Sequence, residues 1–313
     1  MTLVGVSLKA SQFQLRYCPA LQKKPGTSPK GSQDNKNKPK PDPFANPSED
    51  LLVAELDSHI LVLNKYPVIE NHFILATKIS KPQTRLLERD DLSLTHACLQ
   101  AWSKDAPNNQ PRRLFAFFNS GEHSGASQAH RHIQFIAFED MTKGGSQGDW
   151  QLLTDRMTSK VALSPLLRRD TDLPFLHYAT ELWPTISAHD LHSRYISLLR
   201  AAVCGSTRQS PAAAFDKDER IEWNGEAVIS YNLAMTTDTM AIFPRRSETA
   251  EVPSAGQAAG LVAINGTILG GTLMVKYEHE YRNLKEKPSL LDDILTNIGF
   301  PVSDDGVLDW MKL

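Results

Sequence analysis

The sequence predicts an α+β protein, an antiparallel sheet with flanking helices, and three observations carry that reading. Short runs rich in β-branched, leucine and aromatic residues recur in pairs separated by turn residues, the pattern of hairpins. Apolar residues recur at helical spacing only in isolated stretches between those runs. A hairpin in the first half, Leu51 to Pro67, is echoed in order and spacing by a second, Val228 to Pro244, which suits duplicated halves.

Taken along the chain, Gln12 to Tyr17 reads as the first strand region. From Lys23 to Asn46 the sequence is rich in Lys, Pro, Gly, Ser and Asn without apolar periodicity, so 23–46 is read as a mobile loop that adds nothing to the core. Leu51–Leu56 and Ile60–Pro67, joined at Asp57-Ser58, form the first hairpin, with Asn64 and Lys65 ending its second strand. Phe73–Ala76 is a further strand. A helix opens at Asp90-Asp91, acidic residues suited to a helix N-terminus, and continues past Ala97, Leu99 and Trp102. Leu114–Asn119 is expected to pair beside the strand that follows it. After Phe138, Gly144 to Gly148 and the prolines at 165, 174 and 184 mark the end of the first half. The chain is therefore divided into residues 1–180 and 181–313. In the second half, Leu191, Tyr195, Leu198, Leu199 and Ala202 define a helix beginning after Ser187, and 205–218 is a polar surface loop. Ile264 to Lys276 is a small and polar stretch feeding an apolar run that ends in lysine. Leu290, Leu291, Ile294, Leu295 and Ile298 mark a last amphipathic helix after Pro288.

Length and charge bound the function. A chain of 313 residues can bury a large core, and Lys+Arg 34 against Asp+Glu 36 gives no basic surplus for general nucleic-acid binding. Cys18, Cys98 and Cys204 are far apart without ligand spacing, which points to core thiols in a reducing compartment. The brief apolar start lacks a basic leader, and no segment approaches the ~20 apolar residues that cross a bilayer. The expectation is a cytoplasmic protein, with the nucleus left open, that works on no membrane.

The chemistry concentrates in Asn119 to Phe138. A glycine-containing turn runs into an alternating stretch that puts His130, His132 and Gln134 on one face, roughly 6.5–7 Å apart at about 3.3 Å rise per residue, with Ile133, Phe135 and Ala137 facing a core. Such a row suits attack on phosphorus. A neutral imidazole is a good nucleophile once a carbonyl pins its other nitrogen, and the phosphoramidate it forms can pass the group onward. Backbone N–H groups and the hydroxyl in Ser124-Gly125-Ala126-Ser127 can hold phosphate oxygens, because glycine lets the main chain approach and turn. The plainer alternatives are a packed strand histidine, or a His-x-His metal clamp completed by Glu122 or His123 in a nonenzymatic nucleotide or metal sensor.

The run Gly125-Ala126-Ser127-Gln128-Ala129-His130-Arg131-His132-Ile133-Gln134 resembles the signature of the diadenosine tetraphosphate phosphorylases, or ATP adenylyltransferases, of the histidine-triad superfamily. The resemblance extends from about Ser48 to the C-terminus. It implies a histidine-triad-like fold with duplicated halves, as in galactose-1-phosphate uridylyltransferase, with a catalytic domain followed by an ATP adenylyltransferase domain. The activity it implies is reversible phosphorolysis of diadenosine tetraphosphate by phosphate to ATP and ADP. His132 would be the nucleophile that carries the adenylyl group, His130 would orient it, and Gln134 would stand in place of the third histidine. The family further implies substrate contacts from Lys24, Asn64, Lys65, Asn119, Gly125, Ala126, Ser127, Gln128, Gln134, Asn265, Gly266, Thr267, Thr272 and Lys276; Thr272 stands where the family has methionine. No protein metal site is implied; a divalent cation such as Mg2+ would arrive on the substrate. The expected partners are dinucleoside polyphosphates, ATP, ADP and phosphate, to a monomer or homodimer. A sugar-phosphate nucleotidyltransferase of the same superfamily is the nearest rival, and the Ser-Gly-Ala-Ser-Gln lead-in favours the adenylyl branch.

Overall fold

The structure, a computed structural model, describes residues 2–8, 11–23, 41–105, 112–143, 150–159, 161–207, 225–253 and 260–302. Among them fifteen strands run in chain order: β1 (Thr2–Leu8), β2 (Ser11–Tyr17), β3 (Leu52–Glu55), β4 (His59–Leu63), β5 (Phe73–Thr77), β6 (Leu114–Ser120), β7 (His132–Ala137), β8 (Val161–Ala162), β9 (Arg168–Arg169), β10 (Tyr178–Glu181), β11 (Ser230–Met235), β12 (Thr239–Arg245), β13 (Thr249–Val252), β14 (Gly260–Ala263) and β15 (Thr272–Val275). The helices are α1 (Arg89–Lys104), α2 (Phe138–Thr142), α3 (Leu153–Ser159), α4 (Ala188–Thr207), α5 (Glu278–Glu286) and α6 (Leu290–Ile298).

Ten strands form one sheet in the order β3-β4-β5-β7-β6-β11-β12-β10-β9-β8. All its ladders are antiparallel. The α+β expectation holds, and both expected hairpins are present, β3/β4 with a bulge between Leu52 and Ala54 and β11/β12 in regular register. β6 pairs with β11 at the centre, so the two halves share one continuous sheet. Residues 180 and 181, on either side of the sequence-based division, both lie in β10.

Alternation within β7 builds the two faces. Ile133, Phe135 and Ala137 enter a core with Phe73, Leu92, Leu99, Tyr195 and Leu199, beneath α1 and α4. Phe135 stacks on Phe73 at 4.7 Å between ring centroids, and truncating so buried a ring costs about 3–5 kcal/mol. The opposite face carries His132, Gln134 and Ile136. Over it lie β2, β15, α3, α5 and α6, whose Phe13, Leu15, Met157, Leu273, Leu284 and Leu295 form the second core with Phe117 and Ile136. β15 pairs with β2 in parallel, and β2 with β1, so the start of the chain is locked to its C-terminal part.

Three expectations require correction. β7 starts at His132; His130 lies before it in an isolated bridge to Pro82, so the row is strand only from the second histidine onward. Asn64 and Lys65 fall just past the end of β4. Of the segment 23–46, residues 24–40, Lys24 among them, lie outside the described residues, but its end is not apart from the core: Phe44 is buried with Ile60, Val62, Ile74 and Ala76. Gly144 to Gly148 and most of 205–218 also lie outside the described residues. Cys18 and Cys204 are buried, Cys98 is half-buried, and none of the three forms a disulfide among the described residues. No helix among the described residues is long and apolar enough to cross a membrane.

Candidate active site

The two histidines are buried at the entry to β7, His130 at 4% and His132 at 3% exposure. They form no shallow open row. His132 Nδ1 lies 2.8 Å from the His130 carbonyl oxygen. A carbonyl can only accept, so Nδ1 carries the ring proton and Nε2 keeps a lone pair. Burial pushes the His132 pKa down to about 4; the His130 carbonyl bond opposes that fall but does not outweigh it. The ring is therefore neutral at physiological pH. His130 Nδ1 faces Asp42 Oδ2 at 2.7 Å, and its Nε2 lies 2.8 Å from the Thr77 carbonyl and 2.9 Å from Thr77 Oγ1. Of the four ring nitrogens, His132 Nε2 alone has no protein partner among the described residues. That distribution argues against a metal clamp, which needs open lone pairs on both rings.

Why the chain holds His132 there follows from its neighbours. β6 and β7 are laddered only as far as Phe117 and Gln134, and two positions further on, at Asn119 and His132, the strands have parted. The buried Gln83 side chain fills the gap: its Oε1 accepts from His132 N at 2.7 Å, while Nε2 donates to Asn119 O at 2.8 Å and His132 O at 3.2 Å. One amide thus replaces a missing stretch of strand. Between the histidines, the fully buried Arg131 donates through Nη1 to Glu88 Oε1 and Asp91 Oδ2, both at 2.9 Å. Glu88 and Asp91 form the capping box of α1, so the N-terminus of that helix anchors the peptide between the two rings. Burial alone would raise the Asp91 pKa, but hydrogen bonding to His59, the charge of Arg131 and the Glu88 N–H hold it below its usual range.

Beyond His132 the site draws on the second half. Asn119 Oδ1 accepts from Asn232 Nδ2 and from Gly266 N, both at 2.9 Å, and Asn232 Nδ2 also donates to Ser124 O at 2.8 Å. Asn232 in turn accepts from Arg245, which also donates to the carbonyls of Ser247, Ile264 and Ile298. Burial lowers the pKa of this guanidinium to about 9. Gly125, at φ +78°, lies so close to Ile264 O and Asn265 that a Cβ would meet them at 2.8 and 2.9 Å, and a Cβ on Gly266 would meet Asn119 Oδ1 at 2.8 Å. The turn after β6 and the turn before β15 are therefore pressed together, and glycine is required at both points of contact.

Most of the residues singled out in the sequence meet here. Asn119, Gly125, Asn265, Gly266 and Thr267 share the contact, with Asn265 Oδ1 accepting from Thr267 N and Oγ1. Thr267 Oγ1 also donates to Thr272 O, and the buried Thr272 faces Gln14 Oε1 at 3.4 Å. Gln134 is half-buried opposite Phe117, two residues along from His132; Ala126 and Gln128 are half-buried and Ser127 exposed at the mouth of the turn. Asn64 is less free than a substrate ligand would be, because its Oδ1 accepts from Tyr66 N and its Nδ2 is 3.1 Å from His72 Nδ1. His72 packs by Phe117, which connects Asn64 to the site at one remove. Lys65 is exposed beside Tyr66, and Lys276 follows β15 directly, with its carbonyl accepting from Gln22; among the described residues neither is bonded to His132.

Sequence reasoning missed Asp42, Phe44, Thr77, Gln83, Asn232 and Arg245. Only Phe44 carried a visible signal. It is the single Phe, Tyr or Trp between Tyr17 and Tyr66, and an aromatic in a Lys- and Pro-rich run is a reason to expect docking.

Comparison with known proteins adds to this geometry. Residues 5–147 match the family model of the Ap4A phosphorylase N-terminal domain and residues 171–301 that of the ATP adenylyltransferase C-terminal domain. Diadenosine 5',5'''-P1,P4-tetraphosphate phosphorylase 2 of Saccharomyces cerevisiae is 29% identical over 309 residues, covering 93% of this chain and 84% of that protein. Protein APA1 of the same yeast is 28% identical over 307 residues, covering 92% and 83%. The crystal structure of yeast Ap4A phosphorylase Apa2 in complex with Ap4A matches with a TM-score of 0.72 at 24% identity, over 96% of this chain and 90% of that one.

Proposed function

The chain belongs to the Ap4A phosphorylase family, with its two domains in order, and on that footing we propose that it is a nucleotidyltransferase that cleaves diadenosine tetraphosphate with phosphate, reversibly, to ATP and ADP. The observation that carries the chemistry is the His132 ring: neutral, proton on Nδ1, Nε2 without a partner among the described residues. Its Nε2 attacks the α-phosphorus, the bond to the departing ATP breaks, and an adenylyl group remains on the imidazole. Phosphate then attacks the same phosphorus, ADP forms, and the electron pair of the N–P bond returns to Nε2.

The remaining assignments follow from position. Gln134, on the His132 face, and Ser127, Gln128 and the Gly125-Ala126 backbone are assigned to the nonbridging oxygens, where charge gathers as bonds loosen. Gln134 donates a hydrogen bond but cannot serve as a base at neutral pH, which is compatible with sparing the intermediate from water. Asn119, Asn265, Gly266, Thr267 and Thr272 form the wall toward the nucleotide. Lys24, Lys65 and Lys276 are the cations assigned to polyphosphate, and Asn64 supports its rim. A divalent cation such as Mg2+ comes with the polyphosphate and shields its charge.

The test is incubation with Ap4A radiolabelled at the α-phosphorus. Acid-labile, base-stable label should appear on His132 with one equivalent of ATP released, a His132→Asn variant that still folds should lose it, and ADP and continued turnover should appear only when phosphate is added. AMP formed without phosphate, or unlabelled protein, would overturn the reading.

A further inference from the structure

The residues just before the large sheet close over the histidine pair. Asp42 uses both carboxylate oxygens: Oδ2 faces His130 Nδ1 at 2.7 Å, and Oδ1 accepts from Phe44 N at 3.0 Å. The second bond tightens the turn at Pro43 and sets Phe44 down on the site. Its ring meets His130 edge-on, with centroids 5.4 Å apart and planes at 90°, and lies over His132 at 5.2 Å and 38°. The phenyl group is only 6% exposed, wedged among Ile60, Val62, Ile74 and Ala76. One side chain thus links the orientation of His130 to the docking of the ring that covers His132.

The chemistry proposed for His132 gives this arrangement a task. When Nε2 donates its lone pair to phosphorus, the P–O bond to the leaving nucleotide breaks with its electron pair on that oxygen, and Nδ1 keeps its proton. The imidazole therefore becomes positively charged. In a site this dry, water cannot meet that charge, and fixed groups must. The His130 carbonyl is one of them, at 2.8 Å from Nδ1. The face of a phenyl ring within about 6 Å attracts a cation through its quadrupole, and the Asp42 carboxylate lies one imidazole further on. The carboxylates Glu88 and Asp91 are engaged with Arg131, Lys81 and His59.

We propose that Asp42 and Phe44 are positioning residues of the His132 nucleophile: together they hold its ring in the attacking orientation and compensate the positive charge it carries while bonded to phosphorus. This rests on the adenylyl-histidine reading and adds to it two residues that the signature does not include.

Two near-isosteric variants separate charge from shape. Asp42→Asn keeps an acceptor for Phe44 N but removes the negative charge, and Phe44→Leu keeps apolar volume but removes the π face. In single-turnover transfer from radiolabelled Ap4A, the rate of labelling His132 should fall on the order of tenfold in D42N, the scale of a lost charge-assisted bond. In F44L it should fall about 3–10-fold. KM should stay within about twofold in both, since neither residue is assigned to substrate, and the melting temperature of D42N should stay near wild type, because its carboxylate is partly exposed. Unchanged labelling rates, a loss confined to KM, or a loss of rate matched by a loss of folded protein in both variants would overturn the proposal. Wild-type protein that takes no label would instead refute the adenylyl-histidine itself.

Discussion

His132, at the entry to β7, and His177, one residue before β10, are built alike. Each is buried, each points Nδ1 at the carbonyl two residues earlier in the chain, at 2.8 Å to His130 O and 2.9 Å to Phe175 O, and burial pushes each pKa down to about 4. Each also lies beside a phenylalanine ring, Phe44 at 5.2 Å and Phe175 at 5.3 Å. They differ at one atom. His177 Nε2 accepts the Asp170 N–H at 3.0 Å, whereas the same atom of His132 has no partner among the described residues. Burial, tautomer and a low pKa therefore do not make a nucleophile. A ring nitrogen must also keep its lone pair open to serve as one, whereas a lone pair committed to a backbone donor makes a strut.

The sharpest way to break this contrast is to delete each ring in turn. His132→Asn should lower transfer at least about 10^3-fold, as removal of a covalent nucleophile does, while His177→Gln should leave kcat within a few-fold and cost about 1–3 kcal/mol of stability for the stranded Asp170 donor. Equal kinetic losses, measured with melting curves on both variants, would erase the distinction.

Acid should treat the two rings alike, which tests what they share. Both are neutral when folded and take up a proton near 6.5 when unfolded. The unfolded chain then binds more protons between pH 6.5 and about 4, so stability is full above that window and falls as pH drops through it, by about 3 kcal/mol for each ring. Denaturant titrations across the window should show a shallower acid loss in His177→Gln than in wild type.

Gln83 belongs to His132 alone and has no counterpart bonded to His177 among the described residues. Gln83→Leu should lower kcat about tenfold with little change in KM, because it loosens the peptide that carries His132 and is not itself assigned to substrate. A rise in KM alone would move Gln83 to the binding surface. The smallest effect is expected at Lys65, exposed and outside this network: Lys65→Ala should raise KM about 2–5-fold, an effect that fades with added salt. A salt-independent loss of kcat there would extend the catalytic network beyond the β7 entry.

Much of this site was legible in one line of residues, because period-two alternation and turn chemistry are local. Ile133, Phe135 and Ala137 face the α1/α4 core as the alternation implies, and His132 and Gln134 share the other face. The hairpins and the helix after Ser187 were equally plain. What escaped reading works across long separations. Gln83 bonds backbone 36 and 49 residues away, Asn232 bonds Asn119 at 113, and Asp42 reaches His130 at 88. A lone Gln or Asp has no periodicity to betray such a contact.

Which residues can perform the chemistry was written in their types and spacing: an imidazole, a glycine turn and an amide are what they are wherever the chain takes them. Which imidazole has an open nitrogen was settled by folding. That depends on where the N–H of Asp170 and the side chains of Asp42, Phe44 and Gln83 come to rest, and distant groups meet only when packing and hydrogen-bond satisfaction bring the strands together.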